Sequence, residues 1–469
     1  MKKTKIIATY GPAVSSGTKV KQLVDAGVNL FRINCSHGKR EDFLKAVKII
    51  RQGTKSARFP VGILFDISGP KLRVDRFDGE LPVKSGDRVT LTTDTTDLSQ
   101  KKIAVNHPAI IASVKKGERL FIDDGNIVFK ILKTNKTEIV IKAENNETIL
   151  PGKGINLPDT KLKIPTITEK DKKDIKTAVD AKADYIALSF VRSGDDIIEA
   201  GKLIRKYGGT QWVIAKLEKR EAIEDLDTIM LLADGVMVAR GDLGVELPFA
   251  ELPRMQKDII RLANYHHKPV IIATQMLESM RFSPRATRAE VNDVATAVFD
   301  FVDAVMLSAE TATGNYPVET VKAMTEVIEA TEEVSVKGDT AVDKHLIKSE
   351  ITQAIAYSVH TAQEDTDVKM IAAYTSSGFT ARLISNLFPP QPVIALTSDT
   401  KVLAKLCLFR SVYPVKVSQP KTFNAMIKTI NGICSKHKLA KQNEMIIIAG
   451  GVPFGIRGTT NFMMIHEIT

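Results

Sequence analysis

Three cysteines, one tryptophan and eight histidines are few for a chain of 469 residues. Cys35, Cys407 and Cys434 lie far apart with no Cys-x-x-Cys pair. That excludes a disulfide framework and a structural zinc site, and leaves three buried thiols as the expectation. No apolar run reaches the ~20 residues of a membrane span, so no membrane role is expected. The opening Met1-Lys-Lys-Thr-Lys-Ile-Ile-Ala-Thr-Tyr10 starts like a secretory signal, but only Ile6, Ile7 and Ala8 run uninterrupted before polar residues and Pro12. This is too short for a signal's apolar segment, and a cytoplasmic location is the expectation. The phosphate-binding pattern G-x-x-x-x-G-K-[ST] is also missing. Pro151-Gly-Lys-Gly154 is only a turn-rich fragment, so a nucleotide would bind without a P-loop. Aromatic residues are sparse at 6% and do not interleave with the lysines, so the net charge of +11 reads as a dispersed basic surface. Specific nucleic-acid binding, which concentrates charge on one face, is not expected; an anionic small substrate benefits from the same field.

What is present is length and periodicity. The chain exceeds what one hydrophobic core organises, so two or three domains are expected. Apolar runs at Thr4–Tyr10, Val28–Asn34, Val61–Ile67, Tyr185–Val191, Trp212–Leu217, Gly235–Ala239, Pro269–Thr274 and Asp303–Leu307 alternate with amphipathic segments. Eight such units predict a closed (β/α)8 barrel, an α/β fold, over residues 1–69 and 165–334. Between the third and fourth units, 70–164 changes to period-two stretches such as Arg88-Val-Thr-Leu-Thr-Thr93 and Lys136-Thr-Glu-Ile-Val-Ile-Lys142, with turn signals at Asp123-Asp-Gly125. A small β domain is predicted there, inserted at a strand end where a lid would sit. Ser335–Asp343 reads as a linker. Strands at Met370–Tyr374, Pro392–Leu396 and Met445–Ala449 then predict a C-terminal Rossmann-like α/β domain over 346–469.

A βα barrel places its chemistry at the carboxyl ends of its strands. Those ends read Arg32-Ile-Asn34-Cys-Ser-His37, Asp66, Ser189, Lys216-Leu-Glu218, Arg240-Gly-Asp242, Thr274-Gln275 and Ser308-Ala-Glu310. Lys216, Glu218, Arg240 and Asp242 are expected to project into one cleft. Two carboxylates beside a lysine suit a divalent metal and a phosphate, and hard oxygen ligands favour Mg²⁺ or Mn²⁺ over zinc. The same acids would also pair with Lys216 and Arg240, and the two arrangements are compatible at different times. Gly241 lets backbone N–H groups approach an anion, with a carboxylate as the expected guest. His37 has no second histidine beside it and His266-His267 end an amphipathic helix, so metal ligation by histidine is not expected. Cys35 lacks a paired base, and packing is its expected role.

These residues fall in blocks that resemble the pyruvate kinase family across essentially the whole chain. The blocks are Thr4–Pro12, Phe31–Gly38, Ala215–Glu218, Val236–Glu246, Ala273–Met280, Thr287–Val291 and Met306–Thr311. The resemblance implies a barrel with an inserted lid, a C-terminal regulatory domain and a homotetramer. It implies transfer of the phosphoryl group of phosphoenolpyruvate to ADP, giving ATP and an enolate that is protonated to pyruvate. On that resemblance Glu218 and Asp242 hold the divalent metal, and Lys216 neutralises charge on the moving phosphoryl group. Arg32 grips the phosphate, while the backbone around Arg240, Gly241 and Asp242 with the Thr274 hydroxyl seats the carboxylate. Thr274, with Ser308 and Glu310 beyond it, lies on the path that protonates the enolate. His37, Arg73 and Asn34 meet the nucleotide, with the Asp123-Asp124 turn closing over them.

Relatives that need K⁺ bind it at residues matching Asn34, Ser36, Asp66 and the carbonyl of Ile67. They carry glutamate where this chain has Lys71. A fixed ammonium supplies the charge K⁺ would bring and repels a second cation, so activity without K⁺ is expected. Ser193 stands where some relatives have a phosphate-contacting lysine. In the last domain, Thr375, Ser376, Ser377, Gly378 and Thr380 join a strand to a helix, as an anion cradle or as ordinary helix caps. The resemblance implies a phosphorylated-sugar effector there, with Arg457 nearby. The competing reading is a metal-dependent carbon–carbon lyase acting on a pyruvate enolate, whose strand ends would carry similar residues.

Overall fold

The computed structural model describes residues 1–162, 164–334, 350–454 and 460–469. Eight buried runs form the parallel strands β1 (Lys5–Thr9), β2 (Leu30–Asn34), β3 (Gly62–Ile67), β4 (Tyr185–Leu188), β5 (Trp212–Leu217), β6 (Gly235–Ala239), β7 (Val270–Ala273) and β8 (Ala304–Leu307). They close in the order β1-β8-β7-β6-β5-β4-β3-β2. Both faces of each strand are covered, which is why these segments read as continuous apolar runs.

Strand periodicity decides which residues meet. Along β5, Val213, Ala215 and Leu217 pack outward against the helices, while Ile214 joins the inner cluster of the barrel. Side chains alternate, so Lys216, and Glu218 just beyond it, continue the Ile214 face toward the barrel axis. The same rule carries Leu30 to Arg32 and Asn34, Leu64 to Asp66, Ala187 to Ser189, and Met306 to Ser308. Ile67 belongs to the outward face and is fully buried there.

The amino end of the barrel is closed by the last domain. Cys407 and Leu408 join the inner barrel cluster, and Trp212 meets Tyr185 and Phe409 edge to face. Lys5 is buried, donates to the Val412 carbonyl at 2.6 Å and lies 3.6 Å over the Tyr413 ring. All three cysteines are free and buried, as expected.

Between β3 and β4 lies a six-stranded sheet in the order Ile155–Asn156, Arg119–Ile122, Ile127–Thr134, Glu138–Ala143, Arg88–Thr92, Lys102–Ala104, with a separate pair formed by Leu81–Val83 and Glu147–Ile149. Its own core of Val89, Leu120, Phe129, Ile141 and neighbours is separate from that of the barrel. The return connection is pinned by Arg192, which donates to the carbonyls of Leu162 at 2.7 Å and Ile164 at 2.5 Å and to Thr166 Oγ1 at 2.7 Å.

The C-terminal sheet contains β9 (Ile371–Tyr374), β10 (Val393–Thr397), β11 (Val412–Lys416), β12 (Met445–Gly450) and β13 (Phe462–Glu467), in the order β11-β10-β9-β12-β13 with β13 antiparallel. The sequence reading names only β9, β10 and β12. Both missed strands are edges: β11 contains Pro414, tolerated only where no ladder bond is needed, and β13 is half exposed. The linker expected at Ser335–Asp343 lies outside the described residues.

Candidate active site

Asp66, at the top of β3, is the hub of the cleft. Its Oδ2 accepts from Arg32 Nε at 2.7 Å and its Oδ1 lies 3.1 Å from Lys216 Nζ. Lys216 also reaches Glu218 Oε1 at 2.8 Å and donates to Ser189 Oγ at 2.7 Å, while Arg32 Nη1 donates to Thr9 Oγ1 at 3.1 Å. Burial by itself raises Asp66, but Lys216 and Arg32 together hold it below the ordinary carboxylate range. Burial works against the Lys216 charge, yet Asp66 and Glu218 outweigh it and keep the ammonium protonated above the ordinary lysine range. Glu218 is less well served. Burial raises its carboxyl, and Asp242 adds a like charge that Lys216, shared with Asp66, only partly offsets. Its Oε2 accepts the Phe190 N–H at 2.8 Å.

Asp242 sits in the first turn of the helix Arg240–Glu246 and, among the described residues, has no hydrogen-bond or ion-pair partner. A buried carboxylate short of positive charge beside an unpartnered one is a donor set that suits a dication held by hard oxygens. Among the described residues no group of three or more His, Cys, Asp or Glu could hold a metal, so protein would supply two side chains and leave other positions open. The expectation for Arg240 needs correction. Its guanidinium turns from the acids in the cleft to Asp293 Oδ1 at 2.6 Å and the Thr274 carbonyl at 2.8 Å, bracing the end of β7. Length explains the turn: the side chain reaches across to the helix Arg288–Phe299, where Asp293 is half exposed.

Gly241 N–H donates to Thr274 Oγ1 at 2.8 Å, so that donor and that hydroxyl are joined to each other in this state. Thr274 and Gln275 take φ of 72° and 54°, successive left-handed conformations that are strained for side-chain-bearing residues. Buried Glu310 accepts the Ser308 N–H at 2.7 Å and the Leu277 N–H at 3.3 Å, and burial raises its carboxyl. It therefore holds the loop of Ser308 from behind.

The residues expected at a monovalent-cation pocket are only partly brought together. Asn34 Oδ1 accepts the Ser36 N–H at 3.0 Å, and Cys35 N–H donates to the Asp66 carbonyl at 2.9 Å. The lysine that reaches this loop is Lys170, from the helix Glu169–Asp180, which sequence reasoning missed: it donates to the Cys35 carbonyl and Asp174 at 2.6 Å and to Ser68 Oγ at 3.3 Å. Lys71 lies along the lid at Gly154 and lines a cleft of about 540 Å³ with Asp242, Lys219 and Arg192; among the described residues it has no carboxylate partner. Among the described residues no hydrogen bond or ion pair links His37, Arg73 and Asn34, the residues expected to meet the nucleotide. His37 is exposed, whereas Arg73 donates to the Gly152 carbonyl of the lid at 2.7 Å. The Asp123-Asp124-Gly125 turn has positive φ throughout, and a Cβ on Gly125 would stand 3.6 Å from Val245, so the turn meets the barrel beside Asp242's helix.

In the last domain a pocket of about 570 Å³ is lined by Thr375, Ser376, Ser377 and Thr380 among others. Thr375 Oγ1 accepts the Gly378 N–H at 2.8 Å, Gly378 has φ of 88°, and Thr380 Oγ1 bonds Thr460 Oγ1 at 2.7 Å. Thr375 thus caps the turn while Ser376 and Ser377 face the pocket's space. Arg457 lies outside the described residues.

The chain matches two family descriptions, "Pyruvate kinase, barrel domain" over residues 1–321 and "Pyruvate kinase, alpha/beta domain" over residues 353–466. It is 38% identical to a pyruvate kinase of Lactobacillus delbrueckii subsp. bulgaricus over all of this chain and 81% of the relative. It is also 38% identical to one of Thermotoga maritima over the full length of both. Among solved structures, a pyruvate kinase from Cryptosporidium parvum superposes with a TM-score of 0.92 at 34% identity, covering 100% of this chain and 96% of the other. With fold, strand-end chemistry and full-length similarity in agreement, the chain belongs to the pyruvate kinase family.

Proposed function

We propose that the cleft above β2 to β8 transfers the phosphoryl group of phosphoenolpyruvate to ADP and protonates the resulting enolate, releasing pyruvate and ATP. The chain is a phosphotransferase by family, and relatives of this family use a divalent metal. The observation that carries the residue-level reading is the largely covered Lys216 ammonium, held on the axis between Asp66 and Glu218. Charge fixed in advance at low dielectric stabilises a migrating phosphoryl group without reorganising at the moment of reaction.

Arg32, oriented by Asp66 and Thr9, meets the substrate phosphate. Lys216 follows the phosphoryl group, and Gly241 N–H with Thr274 Oγ1 exchanges its mutual hydrogen bond for the substrate carboxylate. Thr274 and Ser308 stand on the proton path to the enolate carbon. Glu218 and Asp242 would hold Mg²⁺ or Mn²⁺. A dication there supplies Lewis-acid stabilisation of phosphoryl oxygens. His37, Arg73 and Asn34 face the nucleotide. Lys71, a spare cation on the loop that follows Asp66 and Ile67, stands in for K⁺ at Asn34 and Ser36. The Thr375–Thr380 pocket takes a phosphorylated sugar, and the protein works as a cytoplasmic homotetramer. Among the described residues no helix is long and apolar enough to cross a membrane.

A coupled assay tests the reading. Pyruvate should form from phosphoenolpyruvate only when ADP and a divalent metal are both present; formation without ADP would point to the lyase instead.

A further inference from the structure

Glu246, outside the set above, is buried at the last position of the helix whose first turn carries Gly241 and Asp242. Its Oε1 takes Lys219 Nζ at 2.6 Å and Asn156 Nδ2 at 3.4 Å. Lys219 directly follows Glu218, and Asn156 belongs to the lid strand Ile155–Asn156. One carboxylate therefore ties together the segment of Glu218, the helix of Asp242 and the lid. None of the three is a surface group: Asn156 is 8% exposed, Glu246 3%, and the Lys219 side chain 13%. A residue away, the lid turn at Gly125 abuts Val245.

The two bonds are unequal. The barrel's own bond, from Lys219, is short and charge-assisted, while that from the lid is near the outer limit for an N–H···O bond. The weaker half is therefore the one that parts when the lid lifts. A carboxylate offers about four acceptor positions, so Asn156 has room to draw closer without displacing Lys219.

We propose that Glu246 is a positioning residue that latches the lid, through Asn156, to the two segments bearing Glu218 and Asp242. Lid closure and the setting of those two carboxylates then become one event. The inference rests on the phosphoryl-transfer reading, in which the nucleotide lies beneath the lid. Removing the Asn156 amide leaves Lys219–Glu246 intact, so the barrel keeps its form while the lid loses its hold.

The test uses the full chain with Asn156→Ala and Asn156→Asp, in steady-state kinetics with each substrate varied and in hydrogen–deuterium exchange of the lid. The latch predicts a rise in KM for ADP of about tenfold in Asn156→Ala, the loss of one buried hydrogen bond to a charged group, with KM for phosphoenolpyruvate within about twofold. Exchange should quicken at 155–157 and 123–126. Asn156→Asp should be worse on both counts, because a second carboxylate then faces Glu246. Unchanged KM for ADP and unchanged lid exchange in both variants would overturn the latch. An inactive wild type would instead refute the underlying reaction, and exchange, which needs no turnover, would still judge the latch.

Discussion

The Lys216 ammonium lies 2.8 Å from Glu218 and 3.1 Å from Asp66, so one largely covered cation serves two buried carboxylates. The sharing is uneven in its effects. Lys216 sits between two negative charges and is held protonated, whereas Glu218 has half a cation and Asp242 as a like-charged neighbour. With Arg32 on Asp66, two cations face the three carboxylates of Asp66, Glu218 and Asp242, one positive charge short of neutral, which suits the dication proposed for this cleft.

Replacing Lys216 by methionine keeps the packing of the stem and removes the charge. Turnover should fall by about 10²–10³, roughly 3–4 kcal/mol, by analogy with the loss of one oxyanion-stabilising donor. Steady-state rates of folded Lys216→Met, checked by circular dichroism, decide it; near-normal turnover would remove Lys216 from the chemistry.

Activity in Tris buffer free of K⁺ should be close to that with KCl added. A rise of about tenfold or more on adding KCl would contradict a role for Lys71 as the fixed cation, since a second cation beside an ammonium is repelled. Lys71→Glu should bring in a K⁺ requirement, because it removes the spare cation and adds an acid to the same loop.

At the opposite end of the barrel, burial raises Asp303 to about 6, against the N–H groups of Arg410 and Val270 and the charges of Arg410 and Lys5. A carboxyl with a raised folded-state pKa holds its proton more tightly when folded, so its contribution to stability falls as pH rises from about 4 to about 6 and is level beyond. The size is on the order of 3 kcal/mol, taken from about two pKa units. His267, pushed down to about 4 by burial and then by Arg382 and His266, acts in the opposite sense over a similar window. The informative quantity is therefore the difference between wild type and Asp303→Asn in denaturant midpoints from pH 4 to 7. That difference should shrink toward low pH; a constant offset would show that Asp303 does not titrate there.

Sugar phosphates offer a fourth test. If the Thr375–Thr380 pocket is the effector site, a sugar bisphosphate should lower the phosphoenolpyruvate concentration at half-maximal rate, and Ser377→Asp should abolish that response by like-charge repulsion while leaving the uninduced rate within about twofold. A response that survives in the variant would place the effector elsewhere.

Much of this was legible in the chain before any coordinates. Period-two alternation alone sends Arg32, Asp66, Ser189, Lys216 and Glu218 to the barrel axis, because a strand side chain has only two directions and the other one is occupied by Phe31, Phe65, Leu188, Ala215 and Leu217. The barrel strands were visible for the same reason, being buried on both faces. Edge strands β11 and β13 were not, since an edge need not look apolar or exclude proline.

Tertiary structure decided the partners. Arg240 chose Asp293, 53 positions away, Lys170 chose the Cys35 carbonyl, 135 away, and Asn156 met Glu246, 90 away. Long side chains on separate loops can each reach several acceptors, and no local pattern ranks them. Only closing the barrel and seating the lid on it brings one acceptor within bonding distance and shuts water from the rest, and that selection belongs to the fold.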